Sequence, residues 1–239
     1  MGLTDAFDEP ADTQEAVMAA TYRALCRHGY AGLTIQRIAD EFPKSKSLLY
    51  HHYESKDDLL LEFLAFMLEH FESTVPSREY DDAAAHLRGI LGYVLPDTLD
   101  PERREFTRAM VELQAQAAHD EAYREHFTRS SRFFHDRIET VVECGIEEGV
   151  FREVDPDRIA TLVVTAIDGA RFRRSTAEVE ETVPALRAEL EATLESRLFA
   201  DGTAGSSDAS RDVEGVDGRP NGERGVDERP DASDDGGER

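Results

Sequence analysis

Lysine is nearly missing from this 239-residue chain: only Lys44, Lys46 and Lys56 occur, beside 24 arginines. Tryptophan is absent and the cysteines number two. Cys26 and Cys144 are too few and too far apart for a disulfide scaffold or a cysteine-based zinc site, so both are expected to be buried thiols in a reducing compartment. Nowhere do 18 apolar residues run together, and the acidic segment Met1 to Ala11 lacks the basic start and apolar stretch of a signal peptide. The expectation is a soluble, cytoplasmic protein with no membrane partner. No glycine-rich phosphate loop, Gly-x-Ser-x-Gly elbow or cysteine nucleophile motif is present, and no histidine pair has zinc-ligand spacing. Carboxylates are so numerous that any pair would pass for a general acid and base, which strips such pairs of meaning. No catalytic residue, cofactor or metal is therefore expected.

What the chain has in excess is negative charge. Acidic residues number 51 against 27 basic, giving a net charge of −24 and an isoelectric point near 4.6. That balance opposes nonspecific attraction to nucleic acid or anionic membranes. Together with the preference for arginine over lysine, it is the composition of a protein adapted to very high salt, a halophilic signature.

Residues 201–239 contain no Leu, Ile, Phe, Tyr or Met and cannot form a core, which predicts a disordered acidic tail. The rest shows helical periodicity almost throughout, so the folded part is expected to be all-α. Val17, Ala20, Ala24 and His28 mark a first helix that stops at Gly29. Thr34 caps a short second helix with the stripe Ile35, Ile38, Ala39 and Phe42, ended by Pro43. Ser45 caps a very short third helix, with Leu49 and Tyr53 inward, and Ser55-Lys-Asp-Asp58 opens a fourth that runs to about Val75. Further helices are predicted at 82–95, 101–118, 120–148, from Asp155-Pro156 onward, and at 183–199.

Three short helices, the second and third separated by a tight turn, have the geometry of a helix-turn-helix. Charge supports this placement. From Pro43 to Tyr53 there is no acidic side chain, and all three lysines fall within thirteen residues, beside Ser45, Ser47, Tyr50, His51 and His52. These groups suit phosphates and base edges.

On Gly29-Tyr-Ala-Gly-Leu-Thr34, Ile35-Gln-Arg-Ile-Ala39 and above all Ser45-Lys-Ser-Leu-Leu-Tyr-His-His-Tyr-Glu-Ser-Lys-Asp-Asp-Leu59, the sequence resembles the TetR family of helix-turn-helix transcriptional regulators. The close resemblance covers about Thr13 to Phe63. It implies a flexible N-terminus (1–12), a three-helix DNA-binding head (13–57), a larger helical effector-binding and dimerisation domain (58–200) and the tail. Carried over position by position, it makes Thr34, Tyr50, His52 and Lys56 phosphate contacts and Lys46, Ser47, Leu48 and His51 base-facing. Gln36, Arg37, Lys44 and Ser45 complete the expected DNA-binding set. Two departures stand in the turn: Pro43 replaces a usual glycine and Lys44 a small apolar residue.

The same resemblance implies an effector pocket, for which Phe106, Met110, Leu113, Gln114, Phe133, Phe134 and Arg137 are candidates. It also implies a homodimer through the last two helices, for which Leu162, Ala166, Ile167, Ala170, Leu186, Leu190 and Leu194 are candidates. The expected function is a ligand-responsive repressor that binds a palindromic operator on double-stranded DNA and responds to an unknown small molecule. The rival is a ligand-sensing or protein-interaction module that no longer reads DNA.

Overall fold

The computed structural model describes residues 7, 10–43, 46–74, 80–178 and 182–199. Nine helices lie among these residues: α1 (Thr13–Gly32), α2 (Ile35–Glu41), α3 (Lys46–His52), α4 (Lys56–Thr74), α5 (Ala83–Val94), α6 (Pro101–Gln116), α7 (Glu121–Glu147), α8 (Pro156–Thr176) and α9 (Thr182–Leu198). No strand occurs among the described residues. Residues Met1–Ala204 form one unit; the other, Gly205–Arg239, lies outside the described residues, as does the expected disorder of the tail.

The acidic composition is put to use at helix starts. Asp12, Asp82, Asp100, Asp120 and Asp155 each accept a backbone N–H of the first turn, at 2.7–3.3 Å. Each satisfies an orphan donor and places negative charge at the positive end of the helix dipole. Ser55 opens α4 in the same way, its Oγ accepting from Asp58 N at 3.0 Å. The cap-proline pairs at 100–101 and 155–156 start α6 and α8 where the sequence places them.

Helix α1 departs from the predicted single stripe. Ala16, Val17, Met18, Ala19, Ala20, Thr21, Tyr22, Ala24 and Leu25 are all buried, because α1 is packed against α2, α4 and α6 at once. Gly29 breaks its helical path at φ 63°, ψ 173°, but helical structure resumes to Gly32 instead of ending there. Phe7 also departs from the reading of 1–12 as flexible: it is buried and stacked on Tyr22 at 4.8 Å, with Phe63 at 6.1 Å. An apolar ring that finds a buried aromatic site offsets the entropy of ordering the residue that carries it.

Two hydrophobic clusters result. The first joins the inner sides of α1–α4 with Phe106, Ala109 and Leu113 of α6 and Tyr123 of α7. The second joins α5, the C-terminal half of α7, α8 and α9. Within it Phe151 lies against α7 at Gly145, where an added Cβ would meet the ring at 2.1 Å. Helix α4 crosses the expected domain boundary at 57/58 as one continuous rod, so the head shares its core with the body. Cys26 is half-buried and burial pushes its thiol up to about 12. Cys144 corrects the expectation of two buried thiols. It is exposed, because the α7 positions Ile138, Val141, Val142 and Gly145 define the inner face and 144 falls on the opposite side.

Candidate nucleic-acid interface and cavity

The head is built around α2 and α3. Ile38, Ala39, Phe42 and Leu49 are buried, which fixes the opposite sides of both helices outward. Thr34, Gln36, Arg37, Ser47, Tyr50, His51 and His52 are exposed there, Tyr50 by 52%. The Tyr50 hydroxyl donates to Gln36 Oε1 at 2.7 Å, and Gln36 Nε2 donates to Asp40 Oδ1 at 2.9 Å. That chain ties α3 to α2 across the exposed surface. Thr34 Oγ1 accepts from Arg37 N at 3.2 Å as the α2 cap, and Arg37 donates to Gly32 O. The His51 and His52 rings stand edge to face, 5.7 Å apart.

The remaining expected contacts sit differently. Lys44 and Ser45 lie outside the described residues, and Lys46 begins α3 with its side chain likewise outside them. Leu48 is half-buried against the head core, so only part of its surface faces outward. Lys56 is half-buried too: its Nζ donates to Tyr30 O at 3.2 Å and lies 4.0 Å from the centre of the Tyr30 ring. In this arrangement it braces the head.

Two contacts join head to body at that place, through Glu112 and Tyr123, and a third ties α1 to α4 within the head. Tyr30 N donates to Glu112 Oε2 at 2.8 Å. Tyr30 and Tyr123 both donate their hydroxyls to Asp57 Oδ1, at 3.1 and 2.9 Å. Burial first, and then the Asp57 carboxylate, raises both phenol pKa values, so both remain donors.

Between the two hydrophobic clusters lies a cavity of about 270 Å³, walled by α4, α5, α6, α7 and α8, with Val183 of α9. Of the seven expected pocket residues, Phe106, Met110, Gln114, Phe134 and Arg137 line it. Two do not. Leu113 faces the head-side core, where it is fully buried, and Phe133 lies beside Phe134 at 5.2 Å without reaching the cavity. The sequence reading missed Arg103, Arg171 and Arg174, which also line it. Continuing the α8 stripe Val163, Ile167, Ala170 by one turn points to Arg171 and Arg174, a signal that was available. His86 and His126 line it as well. Burial lowers both imidazole pKa values, with Arg137 and Arg129 respectively adding to the effect.

The residues expected at a dimer interface are mostly committed to the protomer itself. Ile167, Ala170, Leu190 and Leu194 are buried in its second cluster, and Leu162, Ala166 and Leu186 are half-buried against the same cluster. An apolar stripe marks whichever face is covered, and here α8 and α9 cover each other. The outward side of α8 carries Thr165, Gly169 and Phe172 instead, the last 57% exposed. His135 approaches Asp157 at 3.3 Å, Asp136 at 3.7 Å and Glu139 at 3.9 Å, an exposed cluster on α7 and α8.

Residues 17–63 match the family described as bacterial regulatory proteins, tetR family, and residues 83–198 match the BetI-type transcriptional repressor C-terminal family. A TetR transcription regulator from Haloarcula marismortui is similar in structure with a TM-score of 0.71 and 36% identity, covering 79% of this chain and 99% of that one. A transcriptional regulator from Saccharomonospora viridis, solved in complex with choline, has a TM-score of 0.67 at 23% identity, covering 78% and 97%. The transcriptional repressor AcnR of Corynebacterium glutamicum is 23% identical over 191 residues, 80% of this chain and 96% of AcnR.

Proposed function

The chain belongs to the TetR family of transcriptional regulators, and from that premise we propose that it is a repressor whose DNA affinity is set by a small molecule held in the cavity. It acts in the cytoplasm as a homodimer on a palindromic operator. The observation that carries the DNA-binding part is the outward surface of α2 and α3, where Gln36, Arg37, Ser47, Tyr50, His51 and His52 gather, the last four of them within the run from Pro43 to Tyr53 that has no acidic side chain. Hydroxyls, amides and imidazoles at a helix face reach base edges, while Arg37 and Tyr50 suit phosphates.

Two supports favour dimerisation. Phe172 exposes a large ring on α8, and one turn before it Gly169 leaves open space in which another helix can pack closely. Two heads related by a two-fold axis then meet half-sites about one helical turn, ~34–36 Å, apart.

Effector response follows from how α4 and α6 are shared. Helix α4 carries Asp57 at the head joint and Leu64, Met67 and Phe71 in the cavity wall. Helix α6 carries Glu112 at the joint and Arg103, Phe106 and Met110 in the wall. A ligand that binds one setting of these helices better than another shifts the population toward it, and DNA affinity changes by that differential. Selection of genomic fragments bound by the full chain in molar KCl tests the reading. Enrichment of a palindrome supports it, and recovery of random fragments refutes it.

A further inference from the structure

The whole chain has about twice as many acidic as basic residues, yet the cavity wall reverses the ratio. Four arginines line it, Arg103, Arg137, Arg171 and Arg174, against one carboxylate, Asp168. Three of them form a group. Arg171 and Arg174 are one turn apart on α8, and Arg103 on α6 acts electrostatically on both. Among the described residues no carboxylate lies within ion-pair distance of any of the three.

Their hydrogen bonding is incomplete. Arg103 donates to Tyr93 O at 2.8 Å and stacks on that ring, 5.1 Å from its centre. Arg174 donates to Pro96 O at 2.6 Å. Each bond uses one of five guanidinium donors. Arg171 is half-buried and has no hydrogen-bond partner among the described residues, and the protein around it lowers its pKa. Asp168 only partly opposes this: it keeps an exposed edge, yet enough protein surrounds its carboxyl to push its pKa up, with Arg171 pulling the other way. Asp97 faces Arg174 and Arg104 adds further positive charge there. Half-buried guanidiniums that open on a cavity with most donors unused are set to take the charge and acceptors of a bound anion.

The rest of the wall is apolar, with Phe71, Phe106, Met110, Phe127 and Phe134 prominent. His86 and His126 are shifted toward neutral, and the permanent positive charge of the wall is that of the arginines. A volume of about 270 Å³ falls just under the ~300–1,000 Å³ of drug-sized sites, which sets the scale of a small molecule.

Resting on the effector-responsive reading above, we infer that the cavity takes an organic carboxylate with an apolar body, its carboxylate seated on Arg103, Arg171 and Arg174. Planar, bidentate recognition of a carboxylate is what guanidinium groups do best. The aromatic wall by itself would also accept a quaternary ammonium through cation–π attraction. Three guanidiniums at one end oppose that choice.

The test uses the full chain without DNA, in molar KCl, with calorimetry and thermal unfolding as readouts. Octanoate and 4-phenylbutyrate are the probes, and octanamide, choline and inorganic phosphate are the controls. At least one carboxylate should bind once per chain and raise the Tm, while octanamide binds roughly 10–100-fold more weakly than octanoate, the factor expected for losing charge-assisted bonds. Arg171→Met should erase the preference for octanoate over octanamide and raise the Tm of the ligand-free protein, because it removes a half-buried charge that lies beside Arg103 and Arg174 without an ion-pair partner among the described residues. Arg174→Gln, whose parent side chain already has a backbone partner, should weaken octanoate without that gain. The inference is overturned if choline, octanamide or phosphate binds as tightly as the carboxylates, if neither carboxylate binds, or if Arg171→Met keeps the preference. Because DNA is absent, failure here leaves the palindrome selection untouched, and failure of that selection leaves the ligand class standing.

Discussion

Replacing Gly29 by alanine should loosen the joint between head and body, and the size of the effect can be worked from two features. The first is conformational. At φ 63° and ψ 173° Gly29 occupies a region essentially restricted to glycine, so a β-carbon there costs about 1–3 kcal/mol. The second is contact. The added Cβ would stand 3.3 Å from Glu112 Oε2, the atom that accepts from Tyr30 N at 2.8 Å. Glu112 must give way, and a bond to a carboxylate contributes roughly 1.5–3 kcal/mol when fully formed, less here because the site is half-exposed. In a folded unit of this size each kcal/mol moves the Tm by about 2–4 °C, so strain alone predicts a fall of roughly 2–12 °C. Urea and thermal unfolding of Gly29→Ala, Glu112→Gln and the double variant separate the two causes. Since the Cβ acts partly through Glu112, the double variant should lose less than the two single losses added together. A Tm unchanged by Gly29→Ala, or strict additivity within about 0.5 kcal/mol, would refute the account of the joint.

Other outcomes follow from the same geometry. His51→Ala should relax preference at one operator position by about 1–3 kcal/mol, whereas Tyr50→Phe should weaken all sites about equally, as competition binding with single-base variants of the selected operator would show. Gly169→Arg projects into space where nothing lies within 4 Å, so it should leave the protomer folded yet yield monomers in sedimentation; a dimer that survives it does not use this face of α8. Gly145→Ala drives a methyl into the Phe151 ring and should cost about 1–3 kcal/mol, measured by urea unfolding, with no change in ligand preference. With a net charge of −24, self-repulsion should be relieved as KCl rises from millimolar to molar, so the Tm should climb over that range; a flat profile contradicts the halophilic reading.

The fold was legible because its punctuation is local. Aspartate caps, the two cap-proline pairs and the Ser55 start act within one turn, so their meaning survives without knowledge of tertiary neighbours. Two elements escaped for the opposite reason. Helix α1 shows no narrow stripe because neighbours cover it on several sides, a fact written in α2, α4 and α6 and not in α1. Phe7 reads as part of an acidic, featureless N-terminus until Tyr22 and Phe63 provide its site.

For the two candidate sites the division is different. The outward-facing residues of α2 and α3 could be named from sequence because a helix-turn-helix is contiguous and its outer face is set by a short buried pattern, Ile38, Ala39 and Leu49. Even so, the resemblance could not foresee that Lys56 braces Tyr30, since the partner backbone lies 26 residues away. The cavity draws on six helices, and periodicity ranks apolar residues by face without telling which face meets a void. Phe106, Met110 and Phe134 were found as inward apolar residues, but so were Leu113 and Phe133, which the same signal cannot separate. Arg103, Arg171 and Arg174 were passed over because charge on a helix ordinarily means solvent. An arginine that falls in register with a buried stripe, as Arg171 does four residues after Ile167, is the exception that sequence can reveal: such a cation either finds an acceptor inside the protein or awaits one from outside.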